Sequence, residues 1–171
     1  MTDSLKAYRA KRDFNVTTEP AGGQTRASDR PIFVIQRHDA STLHYDFRLE
    51  VDGVLKSWAV PKGPPDELGE RRLAVPTEDH PMGYANFEGR IPKGQYGAGK
   101  VEIWDSGTYR NLRETGDEPA SMNEALDEGK VEIFLEGRRL HGPYALIRTA
   151  GGDEPRWLWL QMKSDEDNEK S

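Results

Sequence analysis

The residues of this chain that could do chemistry gather in one stretch, 37–51, RHDASTLHYDFRLEV. In an extended strand alternate side chains share a face, so Tyr45, Phe47, Leu49 and Val51 point one way and His44, Asp46, Arg48 and Glu50 the other. Residues two apart lie roughly 6.5–7 Å apart at the backbone, near enough for two side chains to meet on one ion. His44 and Asp46 are thus a candidate metal pair. His38, six residues earlier and ahead of an expected turn at Ala40–Ser41, is a candidate third ligand. Imidazole mixed with carboxylate suits a divalent transition metal such as Mn²⁺, Fe²⁺ or Zn²⁺. Arg48 comes next on the same face, and its planar fork matches a pair of phosphate oxygens. The bland alternative is a half-exposed sheet edge, on which a histidine has no special part. Against it stands the clustering of three of the four histidines at positions 38, 44 and 80, among Arg and Asp residues.

A second stretch, RRLAVPTEDHPMGY (71–84), holds His80 between Asp79 and Pro81, in an expected loop after a strand over 71–75. Such a histidine can give a proton to a leaving alkoxide or hold a phosphate oxygen. Tyr84 would add a hydroxyl. Arg72 is a second candidate anion partner, or equally one half of a surface ion pair with Glu70. Lys62 and Lys93, each followed by Gly, are candidate DNA-backbone contacts or plain surface lysines. His141, in RLHGPY, reads as a turn residue without a role. The Gly-rich KGQYGAG (93–99) lacks the spacing of a phosphate-binding P-loop and precedes a strand, so it reads as tight backbone packing near the site.

The elements that must position these groups are mainly strands. PIFVIQ (31–36), LHYDFRLEV (43–51), VLKSWAV (54–60) after a DG turn, RRLAV (71–75), KVEIWDSGTY (100–109), KVEIFLEG (130–137), YALIRT (144–149) and RWLWLQMK (156–163) carry the β-branched, aromatic or alternating signature. GRIPKGQYGAG (89–99) reads as a long ordered loop. Ser121 and Glu124 make a capping box and Gly129 a stop, marking one helix. A short helix over 3–12, opened by Asp3 or Ser4, is also expected. The pattern predicts a mainly β protein: a small single-domain barrel of about eight strands with one or two short helices. Residues 1–30 form an N-terminal helix and a crossing loop (17–30), 31–163 the catalytic barrel, and 164–171 an acidic, disordered tail.

Composition sets the outer limits. The 171 residues suit one domain, and the absence of Cys excludes disulfides, thiolate–zinc sites and a thiol nucleophile. No apolar run approaches the ~20 residues that span a bilayer, and the N-terminus lacks a secretory apolar core, so a cytoplasmic location is expected. The net charge of −6 argues against broad, tight DNA binding, but the acid excess sits late in the chain. Residues 1–100 carry 15 Lys and Arg against 14 Asp and Glu, and residues 101–171 carry 9 against 16. A local basic groove in the first hundred residues stays open.

The long stretches FVIQRHDASTLHYDFRLEVDGVLKSWAVPKGP and RLAVPTEDHPMGYANFEGRIPKGQYGAGKVEIWDSGTY resemble the 3′-phosphoesterase domain of bacterial DNA ligase D, over residues 7 to 162 and in a stand-alone form. The resemblance implies a compact β-barrel with Mn²⁺-dependent activity on 3′ ends in non-homologous end joining. It would remove a 3′-terminal ribonucleoside and then the 3′-phosphate, leaving a 3′-hydroxyl. By motif, His38, His44 and Asp46 match the metal ligands, and Arg48, Arg72, His80 and Tyr84 the phosphate-binding and catalytic group. Lys62 and Glu78 match accessory positions, and Arg12, Asp13 and Glu19 match residues of the ribonucleoside-removal step. Implied partners are DNA or DNA/RNA primer–template 3′ ends, with a separate DNA ligase and a Ku-like end-binding protein as candidates. A monomer is expected.

Two other classes compete. His44 and Asp46 with a distant His80 mimic the two-His, one-carboxylate triad of a non-haem iron oxygenase, which would leave His38 outside and turn over 2-oxoglutarate. A non-catalytic barrel gripping single-stranded nucleic acid would need stacked aromatics in a positive groove. Trp157 and Trp159, alternating in a strand, read more naturally as core.

Overall fold

The computed structural model describes residues 5–21, 30–115, 118–149 and 155–163. The expected cap at Asp3 or Ser4, the 22–29 part of the crossing loop and the acidic tail over 164–171 lie outside the described residues.

Local sequence signals set several joints directly. Asp52 and Gly53 both adopt positive φ, 52° and 81°, as a tight primed hairpin turn demands, and they join β2 (Leu43–Val51) to β3 (Val54–Val60). The capping box closes around α2 (Met122–Glu128). Ser121 accepts from Glu124 N–H, the Glu124 side chain accepts from Ser121 N–H, and Gly129 ends the helix in the left-handed region. The N-terminal helix is one short turn, α1 (Lys6–Ala10).

The remaining strands are β1 (Ile32–Asp39), β4 (Arg71–Pro81), β5 (Gly89–Ile91), β6 (Gly99–Asn111), β7 (Lys130–Gly137), β8 (His141–Thr149) and β9 (Arg156–Gln161). They pair antiparallel in the order β1-β2-β3-β4-β9-β8-β7-β6, and pairing of β1 with β6 closes the ring, with β5 added on β6. This is the expected eight-stranded barrel with one extra short strand. Among the described residues no helix is long and apolar enough to cross a membrane.

Two apolar clusters follow from the period of two. Phe33, Ile35, Phe47, Leu49, Trp58, Val60, Trp157 and Trp159 fill the barrel. Phe47 stacks on Trp159 with centroids 4.0 Å apart. The opposite face of β1, β2 and β3 is not left to water. Tyr8, Val34, Leu55, Met82, Tyr84 and Phe87 build a second cluster there, roofed by the N-terminal segment and a 3-10 turn, Met82–Asn86.

Three local expectations are corrected. The strand expected over 71–75 continues to Pro81, so His80 sits on β4 and not in a loop. Polar and proline residues in PTEDHP hide the continuation, which backbone pairing with β3 enforces. The stretch read as one loop over 89–99 contains β5 and the first residue of β6. His141 opens β8 instead of sitting in a turn.

Candidate active site

The candidate site lies on the outer face of β1–β4, beneath the N-terminal segment. His38 of β1 stands directly across from His44 of β2, with ring centroids 4.8 Å apart. Asp46, two residues along β2, joins them: Asp46 Oδ1 is 3.2 Å from His44 Nε2, and Oδ2 is 3.5 Å from His38 Nδ1. One ligand atom from each of the three lies within 4.8 Å of the others.

The outer nitrogens of both imidazoles face backbone carbonyls. His38 Nε2 donates to Gly97 O at 2.6 Å, and His44 Nδ1 reaches Thr42 O at 3.4 Å. In these tautomers the inner nitrogens carry lone pairs, turned toward a carboxylate that is itself all acceptor. Three facing acceptors need a cation between them, either protons or a metal ion. Without a metal, protons fill the need: the His44 pKa is raised, first by its hydrogen bond to Asp46. A metal held through the inner nitrogens would use the carbonyl bonds as orienting supports. The donor set therefore fits a divalent cation.

Asp46 is buried, and burial alone would raise its pKa. The Arg48 guanidinium, then the His38 and His44 contacts, outweigh burial and hold the carboxyl well below the usual carboxylate range. Arg48 is itself buried, with Nε donating to Gln36 Oε1 at 2.7 Å and its plane 4.7 Å from the Tyr84 ring centroid. Gln36 in turn donates to Tyr84 O at 2.8 Å and Phe87 O at 3.0 Å. Arg48 Nη1 is buried with no hydrogen-bond partner among the described residues. A guanidinium nitrogen so withdrawn from water is costly unless an anion completes it.

The N-terminal segment supplies a second ring of charge. Arg12 Nε pairs with Glu19 Oε2 at 2.9 Å, and Nη1 pairs with Glu78 Oε1 at 3.3 Å. Tyr84 OH also donates to Glu19, at 2.7 Å. Burial pushes the Tyr84 phenol far above its ordinary range, so it keeps its proton. His80 Nδ1 donates to Glu78 O at 2.9 Å, leaving the Nε2 lone pair toward Arg12 Nη2 at 3.4 Å. Burial, then the nearby Arg48 charge, pushes the His80 pKa well below 6.5, so the ring is neutral. Glu78 is held ionised against burial by backbone and Lys11 hydrogen bonds.

A cleft of about 280 Å³ brings Arg12, His38, His44, Asp46, Arg48, Glu78, His80 and Tyr84 together. Glu19 stands behind its wall, bonded to two of them. Three expected residues lie apart. Arg72 pairs with Glu70 and lies across from Trp159, on the barrel-interior face of β4. Lys62 is exposed past the end of β3. Asp13 is exposed and uses its carboxylate to accept Asn15 N–H at 3.0 Å, holding a turn of the N-terminal segment.

Gln36 and Gly97 were missed at the sequence level. A signal for Gln36 exists: it shares a strand face with His38 in an otherwise apolar run. Gly97, at φ +77°, sits where an added Cβ would come within 3.3 Å of His38 Cε1. The Gly-rich loop therefore serves backbone approach to a candidate ligand. The oxygenase arrangement loses support, since both His80 nitrogens face Glu78 and Arg12. Trp157 and Trp159 are buried in the core and have no free face for nucleic acid.

A family model for the DNA ligase D 3′-phosphoesterase domain matches residues 36–148. The multifunctional non-homologous end joining protein LigD of Pseudomonas aeruginosa is 47% identical over 165 residues, covering 95% of this chain and 19% of that protein. The multifunctional non-homologous end joining DNA repair protein LigD of Mycobacterium tuberculosis is 49% identical over 168 residues, covering 98% and 21%. The Mycolicibacterium smegmatis LigD protein is 46% identical over 169 residues, covering 95% and 21%. The chain thus spans about a fifth of the length of the curated relatives it matches.

Proposed function

The chain belongs to the DNA ligase D 3′-phosphoesterase domain family, and from that premise we propose that it is a metal-dependent hydrolase of DNA 3′ ends. It removes 3′-terminal ribonucleosides and 3′-phosphates to leave a 3′-hydroxyl. The observation that carries the reading is the buried, incompletely bonded Arg48 beside the His38–His44–Asp46 cluster in one cleft.

His38, His44 and Asp46 would hold the metal, proposed as Mn²⁺ with other divalent transition metals as substitutes. Bound there, the ion would supply Lewis-acid polarisation of a phosphoryl oxygen and a lowered pKa for water. Arg48 binds the phosphate through Nη1 and offsets the charge that grows on it, while Gln36 and the Tyr84 ring fix its plane. His80 has no Nε2 proton to give in the free protein. A phosphate dianion beside it favours the imidazolium, so substrate binding would arm it as an acid. Tyr84, a retained phenol, offers its proton as a hydrogen bond to phosphate in exchange with Glu19.

On the family's pattern Arg12, Asp13 and Glu19 serve the ribonucleoside step, Asp13 also holding the turn of the N-terminal segment, and Glu78, bonded to Arg12, has an accessory role. Lys62, exposed, is a candidate contact to the DNA backbone. Arg72, a second candidate anion partner on the family's pattern, pairs with Glu70 and is not among the residues lining the cleft, so it takes no part in this proposal. The substrate is a DNA or DNA/RNA primer–template 3′ end, and a DNA ligase would consume the 3′-hydroxyl. A Ku-like end-binding protein is a candidate partner.

The test compares wild type with His44→Ala on a 3′-phosphate primer–template in Mn²⁺. A fall on the order of 10²-fold or more is expected, the size of other lost electrostatic contributors. A variant as fast as wild type would refute the assignment.

A further inference from the structure

We propose that the Tyr96 ring is a stacking platform that caps the 3′-terminal base of the substrate strand; the inference rests on reading the adjoining cleft as a DNA 3′-end phosphoesterase site. Tyr96 is 49% exposed, and among the exposed large hydrophobic residues described it is the one aromatic. Most other rings of the protein are packed into the two apolar clusters. Tyr96 lines the same cleft as His38, Asp46 and Arg48, and its chain neighbour Gly97 gives its carbonyl to His38. A terminal phosphate seated at Arg48 is covalently tied to the 3′ sugar, so the terminal base must leave the cleft at its rim, where this ring stands.

The ring is held in place before any substrate arrives. Gln95 N–H donates to Pro92 O at 3.2 Å and Ala98 N–H to Gln95 O at 3.1 Å, fixing the loop that carries it. The Gln95 side chain accepts from Asp13 N–H at 3.4 Å, tying the loop to the N-terminal segment. Lys11 Nζ lies 4.6 Å from the ring centroid and the Arg12 guanidinium carbon 5.5 Å. Two cations over a half-exposed ring suit a nucleotide: the exposed part of the ring takes a base, and the Lys11 ammonium, which also pairs with Glu78 at 3.1 Å, attracts the phosphodiester that follows it. Every base has such a face, so the platform is indifferent to sequence and favours any terminal nucleotide over an abasic one. The rival role for Tyr96 is to buttress Lys11 and Arg12, which would not depend on a terminal base.

The experiment titrates the full chain in Mn²⁺ with a primer–template that ends in a 3′-hydroxyl and carries 2-aminopurine as its 3′-terminal base. Wild type and Tyr96→Phe should quench the fluorophore on binding. Tyr96→Leu should not quench it and should bind on the order of tenfold more weakly. On the same strand with an abasic 3′ end, the Leu-to-wild-type ratio of Kd should fall to about one. Equal quenching by Tyr96→Leu, an equal loss on the abasic strand, or no binding by wild type would overturn the platform. The two readings fail separately. Wild type that does not hydrolyse a 3′-phosphate strand sinks the phosphoesterase reading while the quenching still reports on Tyr96. Normal hydrolysis with no effect of Tyr96 sinks the platform alone.

Discussion

Replacing Gly97 by Ala should weaken metal binding although residue 97 has no side chain near an ion. Two effects follow from the structure. Gly97 has φ +77°, a region that costs an L-residue roughly 1–2 kcal/mol. The new Cβ would also lie 3.3 Å from His38 Cε1, closer than ordinary van der Waals contact, and would push the imidazole off the Gly97 carbonyl that orients it. The first effect lowers stability, by about 2–8 °C in Tm for a domain of this size. The second disturbs a support of a candidate metal ligand, and the loss of such a support characteristically lowers metal affinity by ~10- to 100-fold. Gly94→Ala is the matched control, because Gly94 has φ +89° and nothing within 4 Å of a built Cβ. Mn²⁺ titration by calorimetry on both variants separates the effects. Gly97→Ala should lose Tm and Mn²⁺ affinity, Gly94→Ala Tm alone. Equal Mn²⁺ affinity in the two variants would refute the claim that the Gly97 carbonyl tunes His38.

Arg48→Lys should stay folded by circular dichroism and lose about 10²–10³-fold in kcat/KM on a 3′-phosphate end, since an ammonium cannot hold Gln36 and a phosphate with one plane; a loss under threefold would contradict this. The buried, neutral His80 binds fewer protons folded than unfolded, so its penalty is absent above pH ~6.5 and grows as pH falls toward its lowered folded pKa. His80→Gln should therefore lose less stability than wild type between pH 7 and 5.5 in urea unfolding, by up to ~1.4 kcal/mol per pH unit. His44, whose raised pKa has the opposite sign, is common to both proteins and cancels. Asp105→Ala should lower stability by about 3 kcal/mol or more in the same assay. The buried carboxylate accepts from the backbone N–H groups of Ser106, Arg138, Arg139 and Leu140, and the change would strand all four.

The amino-acid sequence by itself determined what depends on near neighbours. Alternation on β2 put His44, Asp46 and Arg48 on one face, the Asp52–Gly53 turn paired β2 with β3, and Ser121, Glu124 and Gly129 bounded α2. The density of short strands gave the barrel class. These signals are periods and caps, which a chain expresses within a few residues.

Tertiary structure alone decided what depends on partners distant in the chain. The polar face of β2 reads as half-exposed, yet it is buried because the segment around Tyr8 and Arg12 crosses over it. The fate of β4 is the sharpest case. Ser57 pairs with Thr77 but Leu55 with His80, so two residues of β4, Glu78 and Asp79, answer one of β3, Lys56. That bulge inverts the alternation. Arg72, before it, stays on the interior face with Trp159, while His80, after it, turns out to meet Arg12 and Tyr84. Residues 72 and 80 have the same parity in the sequence, and no count along the strand could have separated them. The partner strand sets the register, and the register decides which side chains meet.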